Sequence, residues 1–243
     1  MHKLAIFAGH NEDTFDLKGS KGIYTDLTQD GIYEEFDSNL VIAKQTVKLL
    51  EHQESIEVLF PQSDGRKMSL QERVDCCNDN NVDAAIFIHS NASSNDDASG
   101  AAAFYWYNSA DGERFADLYA DEMKALGYPL WSYGKYPCEP GEWSNFYVVR
   151  KTRCISLLTE NFFFTNPSEL EEFLLDEEML HNIAEVHAKA TCRYFGVDYV
   201  KPRQKETFYR VVTGSFKNKE NADKRIQELK ESGHASFVDV YDK

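Results

Sequence analysis

The sequence predicts an α/β domain, a largely parallel, twisted sheet flanked by helices on both faces, followed by a small C-terminal βαβ module. Three observations lead there. Compact apolar runs of the kind that bury themselves in a sheet alternate with amphipathic runs of helical period along most of the chain. Turn residues, chiefly Gly, Pro, Asn and Asp, punctuate the alternation. Hydrophobic residues make up 42% and charged residues 28% of the 243 positions, the composition of soluble globular proteins rather than of fibrous, disordered or membrane chains.

The elements follow in order. KLAIFAG reads as a first strand, and after a polar, Gly-punctuated loop SNLVIAKQTVKLLEHQ places Leu40, Ile42, Ala43, Val47 and Leu50 on one helical face. IEVLF is a second strand. In SLQERVDCCNDN, Ser69 and Glu72 stand at capping-box spacing, so a helix begins there. AAIFIHS and AAAFYWYN are the third and fourth strands, ADGERFADLYADEMKALG is a helix closed by Gly127, and CISLLTEN is a further buried strand. Residues 128–145, rich in Gly, Pro and aromatics, read as a long loop of the kind that carries function. Helical material runs from about Pro167 to Phe195.

VDYVKPRQKE, charged and aperiodic, reads as a linker over residues 197–206. It separates a domain over 1–196 from a module over 207–243, in which TFYRVVTGSF, NKENADKRIQELKESG and HASFVDVYDK give strand, helix and strand. Such a unit is small enough to need a partner or a packing surface.

Net charge is −15, which argues against nucleic acid as a partner. The charge is uneven. From Lys201 onward ten Lys/Arg face seven Asp/Glu, giving +3, while the preceding residues carry sixteen against thirty-four, giving −18. No run reaches the length of a membrane-spanning helix, so membrane insertion is not expected. The opening MHKLAIFAGH is too short in its apolar part for a signal-peptide core, which predicts synthesis in the cytoplasm without an export signal. Five cysteines, with Cys76 and Cys77 adjacent and no CxxC spacing, form no disulfide framework or zinc ribbon.

Ligands of an open parallel sheet sit in the crevice outside the C-terminal strand ends. His10 follows the first strand and His89 ends the third, so two imidazoles can meet at that edge. Glu35 stands where the first long helix begins, and Glu160 ends the strand CISLLTEN. Two histidines and one carboxylate make a catalytic zinc set with a coordination position left for water, and a second glutamate can carry that water's proton. Each residue also has a plainer reading: a hydrogen-bonded structural histidine, a helix-face ion pair at Glu35, a cap at Glu160 for the helix opening at Pro167. His181 and His187 read as helix-surface residues.

FAGH, EFDSNLVIA, SLQERVDCCNDNNVDAAIFIHSNAS and FYVVRKTRCISLLTENFFFTNPSEL, in that order, resemble the motifs of the zinc-dependent N-acetylmuramoyl-L-alanine amidases over roughly residues 3–195. The resemblance implies His10, Glu35 and His89 as ligands of one Zn2+ and Glu160 as the catalytic acid/base. It implies hydrolysis of the amide between N-acetylmuramic acid and the L-alanine of the stem peptide. Asn91, Trp143 and Arg150 are the substrate-binding candidates. IFAGHNEDTFD lacks the Asp-Pro that family members carry before Gly-His and the glycines after it, which implies a first loop of different shape.

FYRVVTGSFKNKENADKRIQELKESGHASFVDVY resembles the sporulation-related repeat, or SPOR module, known for binding peptidoglycan glycan strands, but only one βαβ half of the double repeat is present. Pairing with a second copy into a homodimer would complete it. With no export signal, the resemblance points to an endolysin released through a holin-type pore or an autolysin freed when a mother cell lyses. Two other readings of the same residues remain open at this point, a wall-binding protein without catalysis and a zinc peptidase acting on stem peptides.

Overall fold

The computed structural model describes residues 1–11, 21–202, 214–238 and 240, in two units, Met1–Pro202 and Arg203–Lys243. The first unit is a six-stranded sheet with β1 (His2–Ala8), β4 (Ile56–Leu59), β5 (Ala84–Asn91), β6 (Ala101–Trp106), β7 (Leu130–Cys138) and β8 (Ile155–Phe163). Their order across the sheet is β4-β1-β5-β8-β6-β7. Only the β8–β6 pair is antiparallel. A two-stranded hairpin, β2 (Gly22–Tyr24) with β3 (Ile32–Glu34), leads into helix α1 (Glu35–Leu50) and has no signal in the polar loop that the sequence shows there.

Alternation along each strand explains why the sheet is covered twice. Leu4, Ile6, Ala84, Ile86 and Leu157 face one layer, made by α1, α3 (Ala110–Ala125) and α6 (Glu177–Phe195). Ala5, Phe7, Ala85, Phe87, Phe104 and Leu158 face the other, made by α2 (Leu70–Asp79) and α4 (Tyr147–Lys151). The capping box at α2 forms as read, with Ser69 accepting from the Glu72 amide and Glu72 accepting from the Ser69 amide. Gly196, left-handed at φ 69°, closes α6. A short helix α5 (Pro167–Glu169) and a π turn over Leu170–Leu174 precede α6.

Residues 128–145 are not one long loop. β7 occupies Leu130–Cys138 and closes the sheet as an edge strand. Its Gly and Pro mislead because an edge strand tolerates both: Pro137 needs no ladder donor on the open side, and Ser132 (φ 53°) and Gly134 (φ 75°) form the irregularity where the β6–β7 register shifts. At Gly134 a Cβ would stand 2.7 Å from the Leu130 side chain.

Residues 197–202, the first part of the expected linker, pack onto this unit. Gln53 accepts from the Val200 amide at 3.0 Å and donates to its carbonyl at 2.8 Å, and Lys201 pairs with Glu185 at 3.1 Å. In the second unit α7 (Lys219–Glu231), capped by Asn218, stands where the sequence puts a helix. The first expected strand falls mainly outside the described residues, and residues 234–238 form no strand among those described. No helix of the described residues is long and apolar enough to cross a membrane.

Candidate metal centre

The site is assembled at the end of β1 and β5, where α1 begins. Past Ala8 the ladder continues for one residue, Gly9 donating to the Ile88 carbonyl at 2.7 Å, and His10 then turns with φ 60°, the left-handed region. Arg73, on α2 and 2% exposed, holds that turn by donating its guanidinium to the carbonyls of Ala8 and His10. Asn11 is tied to the Met68 backbone in both directions. Thus the unusual backbone of His10 is set from another element, and the sequence offered only an arginine on a helix as its signal.

Glu35, the first residue of α1, is 2% exposed. Its Oε1 accepts from Asn39 Nδ2 at 3.0 Å and from the Ser90 amide at 3.1 Å, and lies 3.1 Å from His89 Nδ1; Oε2 lies 3.0 Å from His10 Nε2. The two imidazoles meet edge to face, ring centroids 4.8 Å apart. Burial by itself would raise the Glu35 carboxyl, but hydrogen bonds from His10 and His89 outweigh it and hold it at about 2, so it is a carboxylate at any working pH. Burial lowers His89 and favours the neutral imidazole that binds metal.

One donor atom from each of His10, Glu35 and His89 lies within 4.8 Å of the others. Ligand atoms in a tetrahedron with bonds of about 2.1 Å stand roughly 3.4 Å apart. The cluster therefore fits a small divalent ion with little closure, and imidazole–carboxylate donors suit a borderline transition metal.

Glu160 is not at the end of its strand, as the sequence suggested. It lies inside β8, directly across from His89 on β5 and Ala102 on β6. The end of β8 is displaced by a bulge: Phe162 has φ 65°, and the register passes from His89↔Glu160 to Asn91↔Phe163, two residues against three. Buried Glu169 fastens the bulged segment, accepting from the Phe163 amide at 2.8 Å and the Gly100 amide at 2.7 Å. Glu160 itself is half-buried, but its Oε2 is fully buried and has no hydrogen-bond partner. Burial, then the neighbouring Glu35 charge, push its carboxyl well above the usual range. A buried oxygen left without a partner beside two metal-type imidazoles is a position prepared for a water or a substrate atom.

Below His89, on the opposite face, a buried polar chain fixes its backbone. Asn161 donates to the His89 carbonyl at 2.8 Å and to Thr159 Oγ1 at 3.3 Å, and Tyr119 donates to Asn161 at 2.8 Å. Thr159 Oγ1 meets His187 Nε2 at 3.0 Å, and His187 Nδ1 meets the Ile183 carbonyl at 2.8 Å. His187 is therefore not a surface residue: it is 1% exposed, on the α6 face that carries Leu180, Ile183 and Ala184. His181 does face solvent.

Burial pulls His187 down to about 4, against about 6.5 in an unfolded chain. Between those values the unfolded chain binds a proton that the folded chain refuses, so this contribution is intact above pH 6.5 and is lost as pH falls to 4, about 3 kcal/mol in all. We expect His187→Gln to flatten the pH dependence of the urea midpoint between pH 6.5 and 4.5; an unchanged slope contradicts the assignment.

Gly9 was not anticipated either. A Cβ there would overlap the His89 ring. Gly9→Ala is expected to leave the far-UV spectrum unchanged and to weaken metal binding at least ~10-fold, read by competition with a chromogenic chelator.

The substrate-binding candidates make no contact with the three-donor cluster among the bonds described. Asn91 ends β5 with its Oδ1 accepting from the Ala92 amide at 2.9 Å, Arg150 is an exposed residue of α4 that donates to Asn145 at 3.0 Å, and Trp143 is 66% exposed in the loop after β7. Cys77 is buried in the α2 layer, and both its bond to Cys154 and its burial raise the thiol well above its ordinary value, as suits a packing residue.

The chain is similar to known proteins over most of its length. Residues 4–193 match the N-acetylmuramoyl-L-alanine amidase family, and residues 179–239 match the SPOR domain. The two matches overlap within α6, which the structure packs against α1 and α3 of the first unit. The N-acetylmuramoyl-L-alanine amidase CwlM of Bacillus licheniformis is 26% identical over 226 residues, 90% of this chain and 81% of that protein. The sporulation-specific N-acetylmuramoyl-L-alanine amidase of Bacillus subtilis (strain 168) is 24% identical over the same shares. Among solved structures, the catalytic domain of the amidase CwlV from Bacillus (Paenibacillus) polymyxa var. colistinus superposes with a TM-score of 0.68 at 23% identity, covering 82% of this chain and all of that one. CwlD of Clostridioides difficile, solved in complex with the GerS lipoprotein, gives 0.68 at 21% identity, again covering 82% of this chain and 100% of that chain.

Proposed function

The chain belongs to the N-acetylmuramoyl-L-alanine amidase family, hydrolases of peptidoglycan, and from that premise we propose that His10, Glu35 and His89 hold one zinc ion and that Glu160 is the general acid/base. The observation that carries this reading is the pairing of a three-donor cluster with a buried, unpartnered glutamate oxygen one strand away. A zinc ion held by these three residues would supply a Lewis acid for hydrolysis of the lactyl amide.

The chain's own groups do the rest. Glu35 keeps both imidazoles turned inward, and Arg73 and Asn161 hold the backbones of His10 and His89. Glu160 Oε2 takes the proton of the attacking water as the C–O bond forms, and gives it to the alanine nitrogen as the C–N bond breaks. Products are an intact glycan carrying a free lactyl carboxylate and a peptide with a free L-alanine amine.

Mass analysis of digested, purified peptidoglycan tests the assignment. The expected products are glycan chains without peptides and peptides beginning at L-alanine; a cut within the stem peptide would instead support a peptidase. For the SPOR domain we propose attachment to glycan strands. A chain ending at Val200 is expected to sediment less with cell walls than the full chain, and equal sedimentation would assign the tail a packing role only.

A further inference from the structure

Beside Glu160 the same face of the sheet carries a fixed aromatic surface that the amide chemistry does not use. Side chains at Leu158, Phe104 and Ala102 share the α2–α4 layer, and Glu160 alternates onto that face with them. Ala102 stands directly across from Glu160, and Trp131, on the next strand, packs in the same layer. At the usual strand spacing the β7 backbone lies about 10 Å from that of Glu160. Between them Ala102 is fully buried. Gly100, where a Cβ would strike the Leu130–Trp131 backbone, lets β7 come that close.

Trp131 is 6.0 Å from Trp143, and each indole is held by neighbouring rings: Trp131 by Phe163 at 5.3 Å and Tyr136 at 4.7 Å, Trp143 by Phe104 at 5.7 Å and Phe146 at 6.3 Å. Yet Trp143 stays 66% exposed. An indole that is both immobilised and bare loses little entropy on binding and offers an apolar face with a polar edge. Its loop also carries the exposed carboxylates Glu139 and Glu142. They repel the carboxylates of a stem peptide and are indifferent to an uncharged sugar.

We propose that the ledge formed by Trp131 and Trp143 is a subsite for an N-acetylhexosamine of the glycan strand, placed two strands along the sheet from Glu160. The role as a subsite of the cleaved substrate rests on the amidase reading above; the sugar binding itself does not. A sugar ring stacks its C–H face on Trp143 while the glycan strand runs on toward the scissile amide. The ledge therefore sets a preference for polymeric glycan over a lone muramoyl peptide.

The experiment uses the full chain and two probes. All three tryptophans lie in residues 1–202, so quenching of indole fluorescence by chitotetraose, an uncharged N-acetylglucosamine tetramer, reports on this unit and not on the tail. Saturable quenching is expected, weakened at least ~10-fold in Trp143→Ala and largely recovered in Trp143→Phe. In kinetics, Trp143→Ala is expected to lower kcat/KM on purified peptidoglycan at least ~10-fold more than on muramoyl dipeptide. Equal losses on both substrates, or chitotetraose affinity unchanged in Trp143→Ala, would overturn the proposal. Trp143-dependent quenching in a chain that cleaves no lactyl amide would leave the sugar site standing and remove the amidase assignment.

Discussion

Glu160→Gln is expected to keep one bound zinc per chain and to lose about 10³-fold in turnover on purified peptidoglycan. The substitution preserves volume and touches none of the three donors, so metal content and activity should part company. The loss follows from proton transfer alone, because an amide cannot take the water's proton or return it to the leaving nitrogen. Stability should not fall. Burial and the charge of Glu35 already disfavour a carboxylate at this position, and an uncharged side chain escapes that penalty. Elemental analysis, a thermal melt and a turnover assay on one preparation separate the effects, and turnover within tenfold of the parent would remove Glu160 from its role.

The second large effect is at Glu35. Glu35→Gln should weaken zinc binding by at least ~10²-fold, beyond the loss typical of outer-shell changes, since it removes a ligand charge as well as an orienting group. It should also destabilise the metal-free chain by about 2 kcal/mol, because the amide cannot accept all the bonds now made by His10, His89, Asn39 and the Ser90 amide. Zinc titration followed by denaturation without metal measures both. A variant with parental zinc affinity would show that the carboxylate is structural and not a ligand.

Legibility differs from residue to residue for physical reasons. The capping box at Ser69, the α/β alternation and the histidine near the tip of β5 are local patterns, each decided by a few neighbouring residues. Glu35 and His89 were legible because strand ends and helix starts of a parallel sheet share an edge. β7 was not, since the Gly and Pro that mark a loop are equally at home on an irregular edge strand. The bulge at Phe162, which leaves Glu160 inside its strand, has no sequence signature. His187 looked like one more polar residue on a helix, and only the Thr159 hydroxyl opposite shows why it is buried.

The order of residues by itself thus determined the class of fold and most elements of the first unit, and it singled out the four side chains to which chemistry is assigned by proposal, because periodicity and strand-end placement are properties of short segments. Tertiary structure alone decided that Gly9 must lack a side chain, that Arg73 holds the turn of His10, that Glu160 Oε2 is left without a hydrogen-bond partner, and that Trp131 and Trp143 share the Glu160 face of the sheet. Those relations join residues tens of positions apart. They exist only once strand register and burial have brought the atoms within reach, and neither can be computed from neighbours in the chain.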